Sequence, residues 1–157
     1  SCSPPRSSRF HFKTETVFTE AFLRSLHKRM YGDVWAWAGT LRSSNKNIGV
    51  DKWQIPTALK SLLDDVKYWH ANNIYQPDEL TIRFKHRLVS IHCFANGNGR
   101  HSRLLADIVI GKIFKLPVYN WGAGDFNKHQ GQREAYLKAI KAADAGNMKP
   151  LIDFARS

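Results

Sequence analysis

A histidine, a turn rich in asparagine and glycine, and a pair of arginines follow one another in the run His92-Cys-Phe-Ala-Asn-Gly-Asn-Gly-Arg-His-Ser-Arg103. Each part has its own chemistry. An imidazole titrates near ~6.5, so His92 can take a proton from an attacking hydroxyl at neutral pH. The turn Asn96-Gly97-Asn98-Gly99 accepts positive φ at little cost, which lets successive N–H groups converge on an anion. Arg100 and Arg103 stand at i and i+3, project from one side of a helical turn and grip phosphate oxygens with paired donors. Two cations opening a helix oppose its dipole, and a bound anion is the natural reason for them. The chemistry indicated is transfer of a phosphoryl or nucleotidyl group to a hydroxyl, driven by positioning and charge stabilisation.

Such residues need rigid elements on both sides. Leu80–Ile91 and Leu104–Phe114 carry apolar residues at helical spacing, so the run is expected to be a loop joining two helices. Pro77, Asp78 and Glu79 suit the start of the first, and Leu80, Phe84, Leu88 and Ile91 form its inward face. Arg100 opens the second. Upstream, Thr19 caps a helix Glu20–Tyr31 that Gly32 ends, and Pro56 begins another that runs to about His70. Between them Leu41–Val50 is polar from Arg42 to Asn47 and then reads Ile48-Gly49-Val50, which suggests a short β-hairpin flap. Beyond Trp121-Gly-Ala-Gly124, Asp125 or Asn127 caps a last long helix that stops at Gly146, and Pro150 opens a short final turn. The expected fold class is all-α: a compact helical domain over 19–157 with one β-hairpin flap, after a disordered or linker tail over 1–18.

Composition narrows the partners. The 157 residues are 43% hydrophobic with five Trp and nine Phe, enough for one core. Lys and Arg number 24 against 13 Asp and Glu, a formal charge of +11 that favours polyanionic partners. Cys2 and Cys93 cannot build a disulfide framework or zinc spacing, which fits a reducing, cytoplasmic setting. No apolar run approaches the ~18 residues of a spanning helix, so no membrane role is expected. The N-terminus carries no hydrophobic signal segment. It also lacks an initiating Met, as a processed or truncated chain would.

The pattern His-x-Phe-x-x-Gly-Asn-Gly-Arg-x-x-Arg resembles the signature of the Fic (filamentation-induced-by-cAMP) family. Members mostly transfer AMP from ATP to a Ser, Thr or Tyr hydroxyl of a target protein. Trp37-Ala-Gly39 with Arg42, and Arg133-x-x-Tyr136-Leu with Asp144 and Gly146, resemble flanking segments of the same family. The whole is also similar to a bacterial subgroup called mobile mystery protein B. The resemblance implies His92 as general base and Phe94 as the anchor of the loop. It implies an anion hole of Gly97, Asn98 and Gly99, with Asn98 touching phosphate, and a grip on the distal phosphates by Arg100 and Arg103. It implies ATP as substrate, Mg²⁺ at position 96, and a flap at Ile48, Gly49 and Val50 that holds the target by strand addition.

Three departures qualify the implied activity. Position 96, where the family carries Asp or Glu for Mg²⁺, is Asn96, a weaker ligand for a hard cation. The usual Pro is Cys93, expected as a packed thiol. The inhibitory motif Ser/Thr-x-x-x-Glu-Gly/Asn is only half present in Thr16-Val-Phe-Thr-Glu20, where Ala21 follows. An antitoxin-like partner, as in a toxin–antitoxin pair, or an upstream segment would then supply inhibition. Secretion as an effector is a second setting for the same activity. Two other classes compete: an inactive protein-binding module of the same fold, and a helix-turn-helix nucleic-acid binder, disfavoured because its usual turn is shorter. A metal hydrolase built on His86, His92 and His101 lacks both helical spacing and a nearby carboxylate.

Overall fold

Helical periodicity becomes seven α-helices in a computed structural model that describes residues 12–123 and 129–157. They are α1 (Thr14–Val17), α2 (Glu20–Tyr31), α3 (Ile55–Ala71), α4 (Pro77–Ile91), α5 (Asn98–Ile108), α6 (His129–Asp144) and α7 (Lys149–Arg156). Local chemistry sets several ends. The Thr19 hydroxyl accepts from the Phe22 N–H at 3.1 Å and starts α2. The helix closes at Gly32, where a Cβ would stand 2.6 Å from the Lys28 carbonyl oxygen. Asp51 caps a 3₁₀ turn, Lys52–Gln54, through the Trp53 N–H, and α3 continues with Pro56 in its first turn.

The central helix is α4. One side, with Leu80, Phe84, Leu88 and Ile91, joins Phe18, Leu23, Leu59, Leu62, Phe94 and Leu105 in a core among α2, α3, α4 and α5. The other side carries Ile82 into a second core with Ile110, Tyr119, Ala139, Ala143, Met148, Leu151 and Ala155. Each fully buried Leu or Phe contributes about 1.5–3 kcal/mol by leaving water, so both ends of α4 are firmly held. At its N-terminus, Asp78 accepts from the Tyr119 hydroxyl at 2.8 Å and from Arg156 at 2.7 Å, which ties α7 to α4. At its C-terminus begins the His92 loop.

Several expectations need correction. No β-strand occurs among the described residues, so the anticipated β-hairpin flap is absent. The physical reason is visible in its hydrogen bonds. Arg42 N–H donates to the Cys93 carbonyl at 2.9 Å and Val50 N–H to the Ile91 carbonyl at 3.3 Å, so both pair across to the end of α4 instead of with each other. Gly49 at φ +95° also interrupts the alternation a strand requires. The expected tail boundary at residue 18 falls inside the fold: Val17 and Phe18 are fully buried. The helix bearing the arginines starts at Asn98, two residues before Arg100, and passes into a π-helical turn at Val109–Ile113. The final turn is a two-turn helix, α7. The caps proposed at Asp125 and Asn127 lie outside the described residues.

Candidate active site

The loop between α4 and α5 is built from its buried half outwards. Phe94 is fully buried, and its ring stacks on His27 of α2 with centroids 3.9 Å apart. Asn98 is used entirely inside the protein. Its Nδ2 donates to the Phe94 carbonyl at 2.8 Å and its Oδ1 accepts from the Phe94 N–H at 3.0 Å. The Asn98 side chain thus forms a clasp that closes the loop on itself. His27 fastens the other edge. Its Nδ1 accepts from Gly39 N–H at 2.9 Å, so its Nε2 carries the proton and donates to the Asn96 carbonyl at 3.0 Å. Burial lowers its pKa and keeps it neutral, against the opposing effect of the Asn96 bond.

His92 caps α4 in the left-handed conformation, φ 55° and ψ 58°. An L-residue rarely adopts that geometry without a constraint. The constraint is Arg42, 5% exposed, whose guanidinium donates to the carbonyls of His92, Ile91, Val50 and Ser44. Gly49 completes the fit: a Cβ there would lie 2.7 Å from the His92 Cβ. The ring nitrogens of His92 have no hydrogen-bond partner among the described residues. Partial burial lowers its pKa first, and the charges of Arg42 and Lys46 lower it further. The imidazole is thus neutral at pH 7, as a general base must be. Cys93 is buried, which pushes its thiol up to about 12 and removes it as a nucleophile.

Beyond His92 the loop opens. Gly97, at φ +78°, is the N-cap of α5 and brings no side chain to it. The N–H groups of Asn98, Gly99 and Arg100 head the helix, where no intrahelical acceptor reaches them. A Cβ at Gly99 would meet nothing within 4 Å, so the ground above this turn is clear. Arg100 is exposed there. Asn96 is exposed too, and its Oδ1 accepts from the Gly97 N–H at 2.8 Å, covering one donor of the expected anion hole. Arg103 sits one turn further along, its guanidinium 5.6 Å from the Trp121 ring centre and 5.9 Å from that of Tyr136.

Some expected site residues meet and others do not. Gly49 abuts His92 and Val50 N–H donates to the Ile91 carbonyl, whereas Ile48 is 63% exposed. Glu20 lies 3.7 Å from Arg24 at the start of α2 and plays no part at Arg103. Among the described residues no group of three or more His, Cys, Asp and Glu could hold a metal ion. Sequence reasoning missed His27. His27 lies on the apolar face of α2 beside Leu23 and Leu26, and that placement was the available signal. A cavity of about 610 Å³ between Gly122, α6 and α7 includes none of the expected residues.

A left-handed histidine thus ends α4 a few residues before the glycine-capped start of α5, within an all-helical fold. The Fic/DOC family profile matches residues 17–110, and the chain belongs to that family. Among curated proteins, it is 28% identical over 133 residues to "Protein adenylyltransferase Fic" of Drosophila grimshawi, covering 82% of this chain and 26% of that one. The corresponding Aedes aegypti protein is 26% identical, with 82% and 25% covered. The chain therefore spans about a quarter of the length of these relatives. Among solved structures, a Fic-domain signalling protein of Bacteroides thetaiotaomicron superimposes with TM-score 0.71 at 20% identity, covering 90% of this chain and 63% of that one. Fic-1 of C. elegans gives 0.72 at 21%, covering 92% and 42%. These structures share the fold. No helix of the described residues is long and apolar enough to cross a membrane.

Proposed function

We propose that this domain transfers the AMP moiety of ATP to a serine, threonine or tyrosine hydroxyl of a target protein. The observation that carries the reading is the strained, neutral His92 held by Arg42 and Gly49 beside the uncapped start of α5. His92 takes the hydroxyl proton, the hydroxyl oxygen attacks the α-phosphorus, and the bond to the bridging oxygen breaks to release pyrophosphate. The α5 N–H groups and Arg100 hold the phosphate oxygens, and Arg103 faces the distal end. The relatives named adenylyltransferases support the nucleotide. A Bartonella tribocorum protein solved with bound AMPPNP has the same fold, with TM-score 0.62 at 20% identity over 88% of this chain and 73% of that one.

The target arrives over the exposed segment before Val50. A groove of about 300 Å³, lined by Leu41, Arg42, Ser43, Lys52 and Trp53, lies beside it, and Trp53 is 80% exposed. Control by an antitoxin-like partner is compatible with the arrangement, since Glu20 is engaged elsewhere. The residues at position 96 do not fit a resident magnesium ion: Asn96 offers a neutral amide whose oxygen is turned to Gly97. That same feature motivates the second reading, a Fic fold that binds target proteins without transferring a nucleotide. Incubating the protein with α-labelled ATP, Mg²⁺ or Mn²⁺, and a lysate separates the two. Label on a protein, lost in His92→Ala, supports transfer. No label with either cation favours the binding module.

A further inference from the structure

Lys85 is the most anomalous charge in the molecule. It lies in the middle of α4, is 2% exposed and ranks among the largest fully buried side chains. A buried ammonium is normally paired with a carboxylate, because burial without a partner is strongly unfavourable. Among the described residues none is paired with it. Its Nζ instead lies 5.8 Å from the centre of the Trp121 ring, the ring that also faces Arg103. Its neighbour in sequence, His86, approaches Asp144 of α6 at 2.9 Å. Two cations thus converge on one indole, and no anion of the described protein stands between them. Burial and the charge of Arg103 together pull the Lys85 ammonium down to about 8.

Structural economy would place methionine or leucine here. With no carboxylate paired to it among the described residues, an anion that arrives from outside would give this cation a reason. We propose that Lys85 is a phosphate ligand which, with Arg103 and beneath Trp121, holds the terminal phosphates of a polyphosphate chain. The inference rests on the nucleotide reading of the loop. It adds a cation where Asn96 removes a metal ligand, so the positive charge facing the leaving pyrophosphate comes partly from α4. A monophosphate, engaged only at the α5 N-terminus, does not reach it.

The test compares the protein with Lys85→Met and Arg103→Met, using inorganic tripolyphosphate, ATP and AMP as probes in thermal-shift and calorimetric titrations. Without ligand, Lys85→Met is expected to melt higher, by roughly 3 °C, because an uncompensated buried charge is gone. Its affinity for tripolyphosphate and ATP should fall at least tenfold, while its affinity for AMP stays within twofold. A purely structural lysine gives the opposite signature: a lower melting temperature with unchanged affinity, or failure to fold. Either of those results overturns the proposal. If the wild-type protein binds tripolyphosphate and Arg103→Met weakens it but Lys85→Met does not, only the role of Lys85 is lost. If the wild type binds none of the three probes, the nucleotide reading falls and takes this inference with it.

Discussion

The two halves of one loop are built on opposite principles. From Ile91 to Phe94, and again at Asn98, nearly every polar group is matched: Arg42 donates to four carbonyls, Asn98 bonds both the main-chain N–H and the carbonyl of Phe94, and His27 closes the edge. Within the next few residues Asn96, Gly99 and Arg100 are exposed, and the first N–H groups of α5 have no intrahelical acceptor. The difference shows how a site can be rigid and receptive within a few residues. Constraint is concentrated where the backbone must be held, and unused donors are left where a ligand must bind.

The most forceful way to break the buried half is Phe94→Ala, which removes the ring stacked on His27. Loss of about 3–5 kcal/mol is expected in urea unfolding, and a loss below about 1 kcal/mol would contradict the contrast. Asn98→Ala comes next. It leaves the Phe94 N–H and carbonyl buried and unpaired, a loss of roughly 2–4 kcal/mol. The exposed half should behave differently. Arg100→Ala is expected to change stability by no more than about 0.5 kcal/mol, yet to weaken ATP binding roughly tenfold, equivalent to about 1.4 kcal/mol. Equal effects on both measurements would erase the distinction.

Acid sharpens the same comparison. His101 donates to the Leu23 carbonyl at 2.8 Å, and burial pushes its pKa down to about 4. Burial also lowers His27 and His92. A histidine with a lowered folded pKa takes up its proton more readily when unfolded, so stability should be complete above about 6.5. It should decline as pH falls from there towards 4, which denaturation midpoints at stepped pH would reveal. The smallest expected effect is on activity. Lys46 helps depress His92, so Lys46→Gln should move the acid limb of the rate profile upwards without altering the fold. A limb that stays in place would remove Lys46 from the electrostatics of the site.

Helix ends and apolar stripes were legible from sequence because short-range rules govern them: α2 and α4 begin and end where Thr19, Gly32, Pro77 and the periodicity indicate. The order of base, turn and arginines was legible for the same reason. Long-range choices were not. Nothing local reveals that Arg42 will bond across to the carbonyls of Ile91 and His92, and without that knowledge Leu41–Val50 looks like a hairpin. The burial of Asn98 was not legible either, because it depends on Phe94 and α2. Nothing local marks Lys85 as buried. Its burial follows from the packing of α4 on both sides, with Trp121 contributed by a segment 36 positions later.

The glycine at the start of α5 carries an optical consequence. A Cβ on Gly97 would touch the ring of Tyr31, and Tyr31 stacks on Trp35 at 4.6 Å, which stacks on Trp37 at 4.6 Å and 11°. The two indoles are close and parallel enough to share excitation, with Tyr31 as the link to the loop. Any ligand that moves Gly97 therefore disturbs a ready-made chromophore pair. Near-ultraviolet circular dichroism of the unlabelled protein should register occupancy of the cradle directly, with Tyr31→Leu as the substitution that disconnects the reporter from the loop.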